Sequence, residues 1–347
     1  MIRSLFNLFA CALAALLTAC DGAEPLAATA RPASSSALHF RGVCDASAAA
    51  PLDDDLFVAA GDEDNILRVY SATQPGGPVS SLDLSAFLQV DPKSPEVDLE
   101  GAARAGNVIF WISSHGRNAS GKERLSRHRL FATKVTGSGK SARLEPMGRP
   151  YTELLQDFVN DPQLASFRLG EAAGRAPKSP GGLNIEGLAF SPEGHLLVGF
   201  RNPIPRGKAL LVRLTNPGEF LDGSRPKIGP PVLLDLGGLG IRSIDAIDGG
   251  YVIIAGGFDG SGTSTIYHWK GGTAVPEPVL DATRPDLNPE AATILGNGQL
   301  LVLSDDGTEK IGGRDCKKLK NPDQRMFRAA VIDWQLDHLI GQASRSR

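Results

Sequence analysis

No long helical period runs through this sequence, no block of like charge, and no cysteine spacing that suits zinc. Each absence removes a class of protein. Lysine and arginine total 36 against 39 aspartate and glutamate, a net charge of -3, with no basic run or aromatic-plus-basic stripe, so a nucleic-acid partner is not expected. No Gly-x-Ser-x-Gly segment is present, which leaves serine-hydrolase chemistry of the strained-turn kind without support. The glycines of Gly237-Gly238-Leu239-Gly240 are followed by no helical pattern and read as a turn, not as a dinucleotide loop. Cysteines number 4, and two of them, Cys11 and Cys20, lie near the N-terminus. Cys44 and Cys316 remain, one near each end of the main body, and a bridge or two separate thiols are equally open.

The N-terminus is the one long apolar stretch. Arg3 precedes a run from Leu5 to Leu17, broken only by Asn7 and ending in Leu17-Thr18-Ala19-Cys20. The run is short for a membrane span and has the form of a signal-peptide core. This ending resembles the lipobox of bacterial lipoproteins. The resemblance implies a signal peptide over 1–19, lipidation of Cys20, a membrane anchor through that lipid, and a cell-envelope location facing the periplasm. Residues 20–37, rich in Ala, Ser and Pro, are expected to form a flexible tether.

What fills the rest is glycine, 40 residues, proline, 24 residues, and short β-branched runs. Self-similarity organises them. Asp98-Leu99-Glu100-Gly101-Ala102-Ala103 leads through a turn to Val108-Ile109-Phe110-Trp111-Ile112 and Ser114-His115-Gly116-Arg117-Asn118. Asn184-Ile185-Glu186-Gly187-Leu188 leads likewise to Leu196–Phe200 and Arg201-Asn202-Pro203. Gly240-Ile241-Arg242-Ser243 leads to Tyr251–Ile254 and Gly257-Phe258-Asp259-Gly260, and Asn288-Pro289-Glu290 leads to Leu300–Leu303 and Ser304-Asp305-Asp306-Gly307. A degenerate copy runs from Asp45-Ala46-Ser47 through Leu56-Phe57-Val58 to Gly61-Asp62-Glu63-Asp64-Asn65. A third apolar segment follows each unit and often a fourth, so four short strands recur at roughly fifty residues, the pattern of a β-propeller blade. The expected fold is all-β, a propeller of five readable blades over 38–347. One gap is too long, and a partly helical insertion is expected over about 137–183, with a sixth, degenerate blade as the alternative.

Up-and-down blades put the start of the innermost strand and the end of the second strand on one face. Glu100 is therefore expected near His115, Glu186 near Arg201 and Asn202, Arg242 near Asp259, and Glu290 near Asp305 and Asp306. Asp62, Glu63 and Asp64 join from the first blade. Carboxylates gathered in this way need a cation, an arginine or a proton. One solution places Ca2+ or another divalent metal on Glu100, Glu186, Glu290 and Asp62 or Asp305, since calcium takes oxygen ligands from several segments. In the other, Arg117, Arg201 and Arg242 pair with the acids and, with Asn202, hold an anionic ligand. His115, Asp305 and Glu186 are the candidate catalytic groups. A third reading makes the repeated glutamate a blade-packing device bonded to backbone amides.

The six motifs around Glu100, His115, Glu186, Arg201, Arg242 and Asp305 together look like the bacterial family called domain of unknown function 3616, over about residues 40 to 335. That family name implies no activity. The Glu-Gly-Leu-Ala opening of a blade is similar, at a greater distance, to esterase-like phytase and gluconolactonase-type propellers. This second resemblance implies metal-dependent hydrolysis of a phosphoester or lactone at the channel mouth. Arg242 departs from the glutamate pattern. A non-catalytic propeller that binds a small anion or an envelope protein is the competing expectation.

Overall fold

The computed structural model describes residues 37–279, 286–332 and Trp334. The expected leader at 1–19, Cys20, and all of the expected tether except Ala37 lie outside the described residues. The first strand, β1 (Leu38–Arg41), belongs to the last sheet of the chain. One antiparallel sheet is β2 (Ala48–Pro51), β3 (Leu56–Ala60), β4 (Ile66–Ser71) and β5 (Ser80–Asp83). A short helix, α1 (Ser85–Leu88), leads to β6 (Leu99–Ala105), β7 (Val108–Ser113), β8 (Leu130–Thr136) and β9 (Arg143–Tyr151). Helices α2 (Leu154–Asn160) and α3 (Leu169–Ala173) come next. The third sheet is β10 (Asn184–Phe190), β11 (Leu196–Asn202), β12 (Ala209–Leu214) and β13 (Val232–Leu234). The fourth is β14 (Gly240–Ile247), β15 (Gly250–Gly256), β16 (Thr265–Trp269) and β17 (Glu277–Pro278). The fifth takes β18 (Pro289–Ile294), β19 (Leu300–Ser304) and, after a small hairpin of β20 (Lys310–Ile311) and β21 (Arg314–Asp315), β22 (Met326–Ile332), with β1 as its outer strand.

The innermost strands β2, β6, β10, β14 and β18 touch in turn, and β18 returns to β2. The fold is thus a five-bladed β-propeller. Each blade is covered on both faces by its neighbours, which is why β3 and β19 are buried along their whole length, β3 as an unbroken apolar run and β19 as one that ends in Ser304. The long gap holds no further blade among the described residues. Its 143–151 portion is the outer strand of the second blade, and only the part after Tyr151 is inserted. That part docks firmly: Leu154, Phe158, Leu164 and Leu169 join the core between the second and third blades, with the Phe158 ring 5.9 Å from Phe200.

The ring is sealed twice. β1 pairs with β22, Leu38 opposite Ala329 and Arg41 opposite Met326. Phe40 of β1 packs at 5.2 Å on Phe327 and at 5.2 Å on Phe57 of the first blade, and Tyr70 closes the cluster by donating its hydroxyl to Arg41 O at 2.8 Å. The second seal is covalent, a Cys44–Cys316 disulfide spanning 272 residues of sequence.

Candidate functional site

Four innermost strands break their pairing at the same place. Between β6 and β7 the register jumps from Leu99 opposite Ser113 to Gly101 opposite Ile112, which leaves Glu100 without a partner residue. The same jump leaves out Glu186 in β10, Arg242 in β14 and Glu290 in β18. The extra residue of a β-bulge is taken out of the ladder and its side chain re-aimed. These bulges aim four charged side chains at one another, and all four are buried. The first blade has no such break: Ser47 stands at that place in the motif and Asp45 two residues before it.

The glycine after two of the glutamates has its own cause. A Cβ on Gly101 would lie 2.9 Å from Leu188 Cβ, and one on Gly187 would lie 2.7 Å from Ile241 Cγ2. Adjacent blades approach through these glycines, so the packing role in the repeat belongs to the glycine. The glutamates contact side chains. Glu186 Oε1 accepts from Asn184 Nδ2 at 2.6 Å and from Arg201 Nη1 at 2.7 Å. Arg242 Nη2 lies 2.6 Å from Glu290 Oε1, and its Nη1 donates to Ser264 Oγ and Asn288 Oδ1.

Two arginines do not balance this site. One carboxylate oxygen each from Glu100, Glu186 and Glu290 lie within 4.8 Å of one another, and the same holds for Asp45, Glu290 and Asp305, so Glu290 is common to both groups. Burial, then neighbouring carboxylates, push Asp45, Asp62 and Glu100 well above the usual carboxylate range. Asp305 is raised by burial and by Glu290, and Glu186 by burial against the pull of Arg201. Glu290 alone is held low, because Arg242 and Arg201 outweigh its burial. Three carboxylate oxygens, Asp62 Oδ1, Glu186 Oε2 and Glu290 Oε2, are buried and accept no hydrogen bond from any described residue. Such atoms are costly unless something positive meets them.

The remaining expected residues go elsewhere. His115 is 1% exposed, contacts Ser113 O through Nδ1 at 2.8 Å and stacks on His128 with ring centres 5.5 Å apart. Burial and the facing His128 push its pKa down to about 3. Arg117 donates to Ala173 O and Gly121 O, and Asn202 donates to Pro177 O and Ser179 O, so both serve the insertion. Asp259 turns to Ser261 and not to Arg242, while Asp306 is held by Arg328, Asp64 by Arg68 and Glu63 by Arg325.

Sequence reasoning passes over Asp45, Asp98, Asn184 and Asn288. Asp98 faces Arg127 at 2.7 Å, and burial raises it to about 6 even against that arginine. The signal was there as a triplet: Asp45-Ala46-Ser47, Asp98-Leu99-Glu100, Asn184-Ile185-Glu186 and Asn288-Pro289-Glu290 put Asp or Asn two places before the ring position.

Fold and site together define a five-bladed propeller with a bulge-borne ring of acids and arginines. The chain belongs to the family described as protein of unknown function (DUF3616), whose model matches residues 45–135 and 120–299. Among curated proteins no match to this sequence is found. Among solved structures it is similar to the glutaminyl cyclase of Myxococcus xanthus, at 15% identity over 85% of this chain and 95% of that one, with a TM-score of 0.40. It is also similar to the PQQ-bound aldose sugar dehydrogenase of Streptomyces coelicolor, at 14% identity over 86% of this chain and 97% of that one, with a TM-score of 0.42.

Proposed function

We propose that the protein is a divalent-metal-dependent hydrolase of the cell envelope, acting on a phosphoester or lactone at the mouth that carries the ring. The observation behind this reading is the set of buried carboxylate oxygens with no donor, on Asp62, Glu186 and Glu290. Hard oxygen donors drawn from several blades suit Ca2+. Glu100, Glu186 and Glu290 would hold the ion, with Asp62 beside them. When bound, such an ion polarises an ester or phosphoryl oxygen and acidifies water. The chain's own residues do the rest. Arg201 and Asn184 fix Glu186, and Arg242 fixes Glu290. Asp305, only partly buried and oriented by the Gly307 amide at 2.8 Å, is the group placed to take a proton from water. His115 is not given that role, since its ring is sealed against His128.

Binding without turnover is the second reading, favoured by the depth of Glu186 and Arg201, whose side chains are each 2% exposed. Anchoring through a lipid on Cys20 belongs to the same proposal and places the mouth in the periplasm.

Glu100→Gln is the informative variant because it removes a ligand without stranding an arginine. Metal analysis of the purified protein, followed by calorimetric titration with Ca2+, should find near-stoichiometric binding that weakens about tenfold or more in the variant. Phosphoester or lactone turnover should disappear with a chelator. A wild-type protein that takes up neither Ca2+, Mg2+ nor Mn2+ would sink the reading.

A further inference from the structure

Lys178 is exposed in the last turn of the insertion, just before β10. That turn is firmly built. Ser179 donates to Ala176 O through both its amide, at 3.0 Å, and its hydroxyl, at 2.7 Å, and the Gly182 amide returns to Ser179 O at 2.9 Å. Asn202, buried at the end of β11, grips both neighbours of the lysine: its Nδ2 donates to Pro177 O at 2.7 Å and to Ser179 O at 2.8 Å. The strand that carries Arg201 therefore also sets the place of Lys178.

The two cations meet over a glycine. A Cβ on Gly260 would lie 3.5 Å from Arg201 Nη2 and 3.9 Å from Lys178 Nζ, and with φ at +83° this position favours glycine, so no side chain of its own stands between them. Arg201 uses Nε on Gly257 O at 2.9 Å and Nη1 on Glu186, while its Nη2 has no acceptor among the described residues. Lys178 is tied to no described residue by a hydrogen bond or ion pair, and its charge reaches Glu290 only at longer range. Of the acids nearby, Asp259 accepts from the amide and hydroxyl of Ser261 and Glu290 is bound by Arg242; Asp259 also feels the charge of Arg201, and Glu290 those of Arg201 and Lys178, without a hydrogen bond to either.

We propose that Lys178 Nζ and Arg201 Nη2 form an anion subsite over Gly260, beside the Glu186 that Arg201 also binds, and that it holds oxygens of the substrate's phosphate with the scissile bond turned toward the acidic ring. A single Nη2 cannot offer the planar two-point grip that suits a carboxylate, whereas an ammonium and a guanidinium nitrogen converging from different sides suit a tetrahedral group. Within the hydrolase reading above, on which it rests, this selects the phosphoester over the lactone.

The test is calorimetry with inorganic phosphate on the chelator-treated full-length protein, and separately with Ca2+ in phosphate-free buffer. Lys178→Gln should weaken phosphate about tenfold or more and leave Ca2+ binding unchanged or tighter, while Lys178→Arg stays within about threefold of wild type. Asn202→Ala, which frees the turn but keeps the lysine, should weaken phosphate in the same direction. Equal phosphate affinity in wild type and Lys178→Gln overturns the subsite, as does a wild-type protein that binds no phosphate. If phosphate binding depends on Lys178 but no divalent ion binds, the metal reading fails and the anion subsite stands.

Discussion

Replacing His115 by asparagine should flatten the acid side of the protein's stability curve. His115 sits at φ +53°, a left-handed conformation that asparagine tolerates, so the change does not strain the turn. In the folded protein the ring is 1% exposed, its Nδ1 is engaged by Ser113 O, and its Nε2 is buried without a partner. Burial first, and the facing His128 second, oppose a proton on Nε2 against the pull of Ser113 O, so the folded pKa falls to about 3 from 6.5. The unfolded chain carries an ordinary histidine and binds its proton below 6.5, so between 6.5 and 3 the unfolded state holds the extra proton. Stability contributed by neutral His115 is therefore complete above the unfolded pKa and is lost as the pH falls. Each pH unit below 6.5 costs about 1.4 kcal/mol, which gives about 2 kcal/mol at about pH 5 relative to neutral solution. The raised mouth carboxylates titrate in the opposite sense and the lowered Glu290 in the same one, but all are the same in both proteins, so the readout is a difference of differences. Unfolding free energies from urea denaturation at about pH 8 and about pH 5 should fall by about 2 kcal/mol more in wild type than in His115→Asn. Equal falls would refute the account of a sealed, neutral imidazole.

Two further outcomes follow from the seams between blades. Replacing Cys44 and Cys316 by alanine opens a covalent loop of 272 residues and should cost on the order of 5 kcal/mol by chain entropy, read as a drop in denaturant midpoint that a reducing agent reproduces in wild type; a loss below about 1 kcal/mol would mean that β1 alone holds the ring. Gly187→Ala drives a methyl to 2.7 Å from Ile241 Cγ2 and should cost about 1–3 kcal/mol in the same assay, with an unchanged midpoint showing that the third and fourth blades are not tightly packed.

The blades were legible because each is a local object. The runs Val108–Ile112, Leu196–Phe200, Tyr251–Ile254 and Leu300–Leu303 mark second strands at a regular distance after the Glu or Arg of the ring, and the expected pairing of Glu186 with Arg201 is a contact inside one blade. Contacts between blades left no such trace. Arg242 was expected beside Asp259 of its own blade, yet its guanidinium binds Glu290 of the next one. A bulge is a property of pairing, so nothing in Leu99-Glu100-Gly101 alone announces it. Leu38–Arg41 is too short to register as part of a repeat, and Lys178 lies in an insertion that repeats nothing.

The placement of β1 bears on how the molecule is made. β1 reaches its partner β22 only after nearly the whole domain has emerged, since Leu38 pairs with Ala329. A chain delivered N-terminus first must therefore carry an unpaired edge strand through the synthesis of all four intervening blades. The entropy of closing so long a loop is met at the last step, after which Phe40, Phe57, Tyr70 and Phe327 can pack. Until then the backbone edge of β1 is open to other chains, so truncation anywhere before Met326 should yield an open, association-prone arc in place of a smaller propeller.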